Sequence, residues 1–529
     1  MAKILIADAF SSVGTELLQS TPGLEVQQVE KATEEELCRL VADVDAIIVR
    51  SATKITPRIL EAATRCKLVG RAGIGVDNIA VPAASRRGVL VMNAPSGNSI
   101  TTAEHAVSLL MSLARKIPQA TASMRQGKWE KNRFMGMELF ERTLGIVGLG
   151  NIGRIVAERA RGLGMKVIAL DPFMTPEAAA ELGVELVDKD DLLRRSDAIT
   201  IHAPLTNHTK NLFDAAAFEK MKRTALLINA ARGGIIDEKA LFDALSAKRI
   251  AGAALDVFEV EPTPADNPLL QLDNLICTPH LGASTNEAQD KVAIELAQQF
   301  ADFFTTGTIR NAINLPAVRG GVPPQAQAYI QLGERLGRFH AQVFGGFTSV
   351  EVLYAGEAFA DMPALPLVTS AVVQGLLEAA LDVPVNLVNA PLLAAEHGIK
   401  VKESRTTAKG TFSSLVSIRL ERGSEKSEAQ ATLFAHDDAR LVALDGVRIE
   451  CELAGRLLFI TNEDKPGVIG NVGTVLGSSG INVARLAVGL SAPKKQAVAL
   501  WNVDAPVTDA VLATVAKLPN VTSAKLVTL

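Results

Sequence analysis

Short apolar runs alternate with stretches of helical periodicity over about the first 310 residues, and this alternation constrains the fold more than any other feature. It is typical of βαβ units, in which parallel strands are joined through helices. The units form two groups, at about residues 1–98 and 99–282. We therefore predict two doubly wound, Rossmann-like parallel sheets. The candidate strands are Lys3–Ala7, Ala46–Val49, Leu68–Arg71, Val89–Met92, Thr143–Val147, Lys166–Leu170, Ala198–Ile201, Ala225–Asn229, Gly252–Asp256 and Leu275–Cys277.

Different patterns follow beyond about residue 282. A helical pattern covers Glu287–Phe304, and a cluster of prolines and glycines in Asn311–Pro324 predicts a linker. Beyond it, helices and strands mix in an α+β pattern, and a final unit reads as a βαββαβ module. The predicted domains are residues 1–98 completed by 283–310, then 99–282, 315–453 and 455–529.

Composition excludes several classes of protein. At 529 residues the chain is too long for one core, and its net charge of −4 argues against a protein that coats nucleic acid. The start of the chain lacks the apolar run of a signal peptide. The stretch Pro363–Val383 is interrupted by polar residues, which favours a packed helix over a membrane span. Four widely spaced cysteines predict reduced thiols in a cytoplasmic protein, with no disulfide frame and no metal site.

A glycine motif predicts a dinucleotide site. Gly148, Gly150 and Gly153 follow the strand Thr143–Val147 and open a helix. Such glycines permit a tight turn, close approach to a pyrophosphate and close packing of helix on strand. Asp171 ends the next strand, where an acid accepts the ribose hydroxyls and repels a 2′-phosphate, so NAD is favoured over NADP. The structural alternative is that Asp171 serves only as a turn residue.

Three residue types downstream suit the oxidation of a 2-hydroxy acid. Arg232, Glu261 and His280 each lie in a segment that follows a candidate strand. A neutral imidazole accepts the hydroxyl proton, a carboxylate fixes its tautomer, and an arginine fork binds the substrate carboxylate. Glu259 competes with Glu261 for the acid's role. A packed histidine and a surface arginine are the structural alternatives.

Four runs resemble the signatures of the D-isomer-specific 2-hydroxyacid dehydrogenases, in that family's order. They are Gly148–Gly153, Asn229–Gly234, Ala254–Pro262 and Pro279–Thr285. The resemblance implies that Arg232 orients the substrate, that Glu261 is the acid and that His280 accepts the proton. It also implies NAD contacts from Asn151, Ile152, Asp171, Ala203, Ala230, Asp256, Leu281, Gly282 and Ala283.

The first third of the chain holds residues that limit which hydroxy acid can be the substrate. Arg50, Ser51 and Lys54 belong to a cationic loop (residues 49–56) that suits a phosphate, although a solvated basic edge is the alternative. Gly73 and Gly75 form a loop whose N–H groups suit a carboxylate.

These runs, with the segment that holds Asn98, resemble the branch of the family that oxidises 3-phospho-D-glycerate. The resemblance implies a substrate with its phosphate on the cationic loop and its carboxylate near the Gly73–Gly75 loop and Arg232. Lys131 or Arg133 is expected to add charge, from a neighbouring subunit.

The end of the chain resembles an ACT domain, a regulatory module that binds small molecules, and the region before it resembles the intervening domain of the long enzymes. The resemblance implies an effector held by Asp464 and Asn482, with L-serine expected, and a homotetramer. Asn462 stands where serine-sensing relatives often carry an aromatic residue or histidine, so a module kept only for assembly is the alternative.

Two other functions remain open. A glycerate or hydroxypyruvate/glyoxylate reductase would share the three catalytic residues, although the cationic loop and the two extra domains argue against it. A non-catalytic scaffold that senses NAD belongs to a different class, and failure to form NADH with any 2-hydroxy acid would favour it.

Overall fold

The computed structural model describes residues 1–316, 322–381, 383–407, 411–435, 437–491 and 496–529, and within them four sheets form. The first two are parallel, the third is mixed and the fourth is antiparallel. The predicted fold class is confirmed. Every helix of the described part of the chain falls short of the length and apolarity that crossing a membrane requires.

The first sheet has five parallel strands in the order β2-β1-β3-β4-β5. Its strands β3 and β5 are buried along their whole length, as expected when helices cover both faces of a sheet. The strands are β1 Ala2–Ile6, β2 Leu24–Gln28, β3 Ala46–Val49, β4 Leu68–Arg71 and β5 Leu90–Asn93, and the helices are α1 Ser12–Ser20, α2 Glu34–Leu40, α3 Pro57–Ala62 and α4 Val81–Arg86.

The second sheet has seven parallel strands in the order β12-β11-β10-β9-β6-β7-β8, and its order reverses between β6 and β9. Ligands of such sheets bind beyond the carboxyl ends of the strands at that reversal. The strands are β6 Thr143–Val147, β7 Lys166–Leu170, β8 Glu185–Leu186, β9 Ala198–Ile201, β10 Leu226–Asn229, β11 Gly252–Leu255 and β12 Leu275–Cys277. The helices are α5 Ser99–Ala114, α6 Ile117–Arg125, α7 Asn151–Gly162, α8 Pro176–Glu181, α9 Lys189–Arg195, α10 Ala215–Lys220 and α11 Glu238–Ser246. The helix that follows, α12 Asn286–Thr306, returns to the first sheet and packs against α1.

The predicted linker is ordered where it begins. Ala312 pairs with Met92 in an antiparallel bridge at the edge of the first sheet. The Asn314 side chain accepts a hydrogen bond from Val91 N at 2.9 Å and donates to Val89 O at 2.9 Å. The chain is therefore fastened to β5 before it leaves this sheet. Residues 317–321 of the predicted linker lie outside the described residues.

The third sheet has six strands in the order β14-β13-β15-β16-β17-β18, with only the β13–β14 pair parallel. The strands are β13 Ser349–Ala355, β14 Lys400–Thr406, β15 Leu415–Arg422, β16 Glu425–Phe434, β17 Asp438–Leu444 and β18 Val447–Glu452, and the helices are α13 Pro324–Phe344, α14 Leu365–Glu378 and α15 Ala390–Glu396. Ten of the fourteen residues of α14 are buried, so the apolar stretch forms a packed helix as predicted.

Glycines let α13 and α14 cross closely. A Cβ on Gly375 would lie 2.0 Å from the backbone oxygen of Glu334, and one on Gly337 would lie 2.3 Å from Val372 O. Backbone atoms cannot move aside as a flexible side chain can, so glycine is required where these helices touch.

The fourth sheet is antiparallel in the order β20-β21-β19-β22 and confirms the predicted βαββαβ module. Its elements are β19 Arg456–Glu463, α16 Val468–Ser478, β20 Val483–Ser491, β21 Gln496–Val503, α17 Asp509–Ala516 and β22 Val521–Thr528. The Gln342 side-chain amide on α13 accepts from Thr528 N and donates to Thr528 O, each at 3.0 Å. Lys525 Nζ donates to Val343 O. These contacts fasten the edge strand β22 to α13.

Replacing Gly375 with alanine is expected to destabilise the protein by about 1–3 kcal/mol, because the new methyl group overlaps a backbone carbonyl. The unfolding midpoint of the full chain measures this. Gly470→Ala in α16 is the matched control, since its Cβ meets no atom within 4 Å. A helix gains about 1 kcal/mol from such a change, so the control should melt at or above the wild-type temperature. Equal midpoints for the two variants would contradict the close crossing.

Candidate active site

A cavity of about 1280 Å³ lies between the carboxyl ends of the two parallel sheets. Both sheets contribute to its wall, as expected where two parallel sheets face each other. The wall includes these predicted site residues: Arg50, Ser51, Lys54, Gly73, Gly75, Asn98, Asn151, Ile152, Ala203, Ala230, Arg232, Asp256, Glu261, His280, Gly282 and Ala283. Gly148, Gly150, Gly153, Asp171 and Leu281 lie in the adjoining segments.

The glycine motif has a different geometry at each glycine. Gly148 has a φ of +92°, which favours glycine, and a Cβ there would lie 2.7 Å from His202 O. A Cβ on Gly153 would lie 2.0 Å from Gly148 O. Gly150 precedes α7, and a Cβ there would meet nothing within 4 Å. The loop is therefore tightly packed beneath and open above, where the free N–H groups of α7 begin, and this suits a pyrophosphate.

Asp171 fastens the glycine motif to the end of β7. Its Oδ2 accepts from Leu149 N at 2.7 Å and its Oδ1 accepts from Phe173 N at 2.8 Å. Each carboxylate oxygen keeps a further acceptor position, so the side chain can still receive hydroxyl donors.

Glu261 and His280 form a direct pair. His280 Nδ1 lies 2.7 Å from Glu261 Oε2, and Phe258 N donates to Glu261 Oε1 at 3.0 Å. Burial opposes the charge on Glu261, but the hydrogen bonds from His280 and Phe258 hold the pKa of this carboxyl below its ordinary value. An ionised Glu261 accepts the Nδ1 proton, which leaves Nε2 as the acceptor nitrogen. Glu259 does not take this place; it accepts from Glu238 N.

The backbone of His280 is held by Asp256, which is 1% exposed. Its Oδ1 accepts from Leu281 N at 2.7 Å and from the Thr278 hydroxyl at 2.6 Å, while its Oδ2 accepts from Gly282 N at 2.8 Å. Burial opposes its charge, yet hydrogen bonds, with that of His105 first, hold the pKa of Asp256 below its ordinary value. His280 itself has a φ of +56°, which this clamp maintains.

Arg232 reaches across to the first sheet. Its Nε donates to Asp77 Oδ2 at 3.0 Å, and its Nη1 donates to Ala231 O at 2.6 Å. The Nη2 atom lies over Gly75, where a Cβ would be only 1.8 Å away. Arg232 and the Gly73–Gly75 loop, placed together by the sequence analysis, are therefore adjacent.

The cationic loop is held by polar side chains beneath it. Asp8 Oδ2 accepts from Arg50 N at 2.5 Å, and Asn78 Nδ2 donates to Arg50 O and to Thr53 O, each at 2.6 Å. Arg50 Nη1 donates to Ala9 O at 3.3 Å, while Lys54 is exposed at the cavity. The loop therefore offers its cations to the cavity from a fixed backbone.

Arg71 is a cavity residue that the sequence analysis missed. Its Nη1 lies against Gly73, and its Nε is buried without a hydrogen-bond partner among the described residues. Burial, followed by the repulsion of Arg232, lowers the pKa of Arg71 to about 10. Its place at the end of β4, directly before a glycine loop, was the available signal. Asp77 and His202 also line the cavity and were not singled out.

The two predicted effector residues lie in the C-terminal module, but only one lines its cavity. A cavity of about 60 Å³ is bordered by Asn462, Asp464 and Trp501. Asn482 is exposed, and its backbone N–H donates to Asp504 Oδ1 at 3.2 Å. Lys131 and Arg133 do not line the large cavity; Arg133 pairs with Glu130 at 3.2 Å.

Comparison with known proteins identifies the family. Residues 107–282 match the NAD-binding domain of the D-isomer specific 2-hydroxyacid dehydrogenases, and residues 325–445 match the D-3-phosphoglycerate dehydrogenase intervening domain. The chain is 41% identical to D-3-phosphoglycerate dehydrogenase of Archaeoglobus fulgidus over 100% of both chains. It is 38% identical to that of Bacillus subtilis, again over 100% of both.

The chain belongs to the D-3-phosphoglycerate dehydrogenase family. Members of this family are NAD-dependent oxidoreductases, and so is this D-3-phosphoglycerate dehydrogenase homologue.

Solved structures superpose on 59% of this dehydrogenase. A glyoxylate reductase from Paecilomyes thermophila superposes with a TM-score of 0.55 at 28% identity, over 59% of this chain and 98% of its own. The apo D-lactate dehydrogenase of Escherichia coli gives a TM-score of 0.53 at 27% identity, over 59% and 99%. The catalytic fold is thus shared with enzymes that act on other acids.

Replacing Asp256 with asparagine is expected to destabilise this dehydrogenase by about 1–3 kcal/mol at pH 7, because an amide NH₂ would face backbone donors. Since the folded-state pKa is lowered, the carboxylate's contribution is present above about pH 4 and is lost as the pH falls further. Unfolding midpoints of variant and wild type should therefore converge in acid. Asp273→Asn, at a side chain that is 93% exposed, is the control. A constant difference at every pH would contradict this account.

Proposed function

We propose that the chain oxidises 3-phospho-D-glycerate to 3-phosphohydroxypyruvate with NAD, the first step of L-serine biosynthesis. The observation that carries the proposal is the 2.7 Å pair of Glu261 and His280 in one cavity with Arg232 and the cationic loop. Relatives named for this activity, 41% identical over the full chain, support it.

The proposed chemistry begins with proton transfer to His280. With Nδ1–H donated to Glu261, Nε2 accepts the proton of the C2 hydroxyl, and the ionised Glu261 stabilises the imidazolium that forms. NAD, when bound, supplies a nicotinamide ring that accepts the C2 hydrogen as hydride. His280 and Arg232 thus act on the two oxygen-bearing groups around C2.

Charged groups orient the substrate at its two ends. We assign its carboxylate to Arg232 and to the N–H groups of the Gly73–Gly75 loop. Its phosphate is assigned to Arg50 and Lys54, with Ser51 as a further donor. Asn98 is assigned to the substrate as well, since it is buried in the cavity wall with a side-chain oxygen that lacks a partner in the described residues. Arg71 extends the cationic surface.

The cofactor assignments follow the glycine motif. Pyrophosphate is assigned to Gly148, Gly150 and Gly153 with the start of α7, and the ribose hydroxyls to Asp171. Further contacts are assigned to Asn151, Ile152, Ala203, Ala230, Asp256, Leu281, Gly282 and Ala283. We accordingly assign NAD binding to residues 99–282 and substrate binding to residues 1–98 with 283–310.

The chain is proposed to act as a homo-oligomer, a tetramer by resemblance. Large apolar side chains between α5 and β6 are exposed, including Trp129 at 81% and Met135 at 73%. An apolar surface of this kind is typical of a protein interface. Lys131 and Arg133 lie beside these residues, which is consistent with a role at a neighbouring subunit. A cytoplasmic location stays a prediction from the cysteine spacing.

L-Serine is proposed as the effector, held by Asp464 and Asn482 of residues 455–529, with residues 315–453 as the intervening regulatory domain. The cavity of about 60 Å³ beside Asp464 supports a small ligand. Asn482 does not line that cavity, so we assign the effector to a site between two copies of the chain, with Asp464 from one copy and Asn482 from the other.

The proposed function is tested by NADH production from 3-phosphoglycerate, with removal of the product, in wild type and in Arg50→Ala. The variant should raise KM for 3-phosphoglycerate about tenfold or more, because a charge-assisted contact to phosphate is worth roughly 1.5–3 kcal/mol. D-Glycerate, which lacks the phosphate, is the matched control and should show an unchanged KM. Turnover of D-glycerate without turnover of 3-phosphoglycerate would favour the glycerate reductase, and no NADH with any 2-hydroxy acid would favour the scaffold.

Serine binding is tested by calorimetry on the full chain. Asp464→Asn should weaken binding about tenfold or more, because a carboxylate contact to the ligand's ammonium group is lost. Asp509→Asn, at the start of α17, is the control in the same module. Absence of heat with wild-type protein would leave the module with a role in assembly only.

A further inference from the structure

Two neighbouring residues, Asp77 and Asn78, contact two of the three cationic residues assigned to the ends of the substrate, Arg232 and Arg50. Asp77 accepts from Arg232 Nε at 3.0 Å, and Asn78 donates to the backbone oxygen of Arg50 at 2.6 Å. Arg50 and Arg232 follow strands of different sheets, and this dipeptide contacts both of them.

The contact of Asp77 determines which edge of the Arg232 guanidinium is available. The group has five N–H donors. Asp77 occupies Nε and Ala231 O occupies one hydrogen of Nη1. Within the described part of the chain, the donors without a partner are therefore the remaining ones on Nη1 and Nη2, and Nη2 lies against Gly75. A substrate carboxylate bound above the Gly73–Gly75 loop would then face the Nη1 and Nη2 donors of Arg232.

Stability does not account for this ion pair. The Asp77 side chain is 74% exposed, and exposed ion pairs contribute little to folding. The pair also joins the loop after β4 to the loop after β10, which are 155 residues apart and belong to separate sheets. The Asp77–Arg232 pair thus adds little to the stability of the fold, yet it lies in the cavity wall and joins two sheets. Orientation of the Arg232 side chain explains why it is present.

Asn78 contacts the cationic loop, which is assigned to the phosphate end of the substrate. Besides Arg50 O, its amide donates to Thr53 O at 2.6 Å, so one side chain holds the cationic loop at two points. Because Asp77 and Asn78 are consecutive, one planar peptide unit links the contact to Arg232 with the contact to the cationic loop.

We infer that Asp77 and Asn78 are positioning residues that determine specificity for a short acid with an anionic group at each end. This inference rests on the proposed function. Asp77 aims Arg232 at the carboxylate, and Asn78 holds the cationic loop at the distance of the phosphate. Neither residue touches the reacting atoms.

The test compares Asp77→Ala and Asn78→Ala with 3-phosphoglycerate and with D-glycerate. Asp77→Ala should lower kcat/KM about tenfold or more for both acids, since both carry the carboxylate that a misplaced Arg232 would lose. Asn78→Ala should raise KM about tenfold for 3-phosphoglycerate and leave the KM for D-glycerate unchanged. Asp77→Asn, which keeps an acceptor for Nε, should recover part of the loss. Asp43→Ala, which removes an exposed partner of Lys3 on the same sheet, is the control.

Each result decides the inference. Parameters within twofold of wild type for Asp77→Ala would overturn it, and so would equal losses on both acids for Asn78→Ala. A weakened NADH affinity by fluorescence in either variant would indicate a general structural defect and would also overturn it. If the wild type does not oxidise 3-phosphoglycerate, the proposed function fails. The role of Asp77 is then still tested by the kcat/KM of Asp77→Ala for D-glycerate.

Discussion

The buried carboxylate of Asp256 holds together the part of the molecule on which the chemistry depends. It stands at the end of β11 and accepts from two consecutive backbone N–H groups, those of Leu281 and Gly282, and from the Thr278 hydroxyl. These bonds hold the backbone around His280, whose φ of +56° is unfavourable for a residue with a side chain. An acid buried beneath the chain therefore maintains the position of an imidazole that faces the cavity.

Two parallel sheets supply the rest of the cavity because each brings its loops to one edge. Within the second sheet, the reversal of strand order opens space above the glycine motif. The first sheet adds the cationic loop and the Gly73–Gly75 loop from the opposite side. Neither sheet holds a complete set of groups, and Arg232 and Asp77 meet only because the two face each other.

The sequence predicts much of this arrangement, and its failures have physical causes. Strands buried on both faces, such as β3 and β9, are predicted with the observed bounds, since continuous apolar runs identify them. The edge strands β2 and β8 were missed because one is largely polar and the other has two residues. Glu261, His280 and Arg232 are recognisable because local motifs surround them. Asp77 was not identified, because its significance depends on Arg232, 155 residues further along the chain. Arg71 was not identified although a local signal, its place directly before the glycine loop, was available.

The contact of Gln342 with β22 has a consequence for how copies of the chain can associate. The Gln342 side-chain amide bonds to the backbone N–H and C=O of Thr528, as a neighbouring strand would. Lys525 Nζ donates to Val343 O on the same helix. Addition of a foreign strand at this end of β22 is thereby prevented, as edge protection requires. The opposite edge strand, β20, packs against β18 of the third sheet, where Gly489 lies against Arg448 O. Each edge strand of the fourth sheet is thus contacted by an element from earlier in the chain, α13 or β18, so less of either edge is open to a strand from another copy.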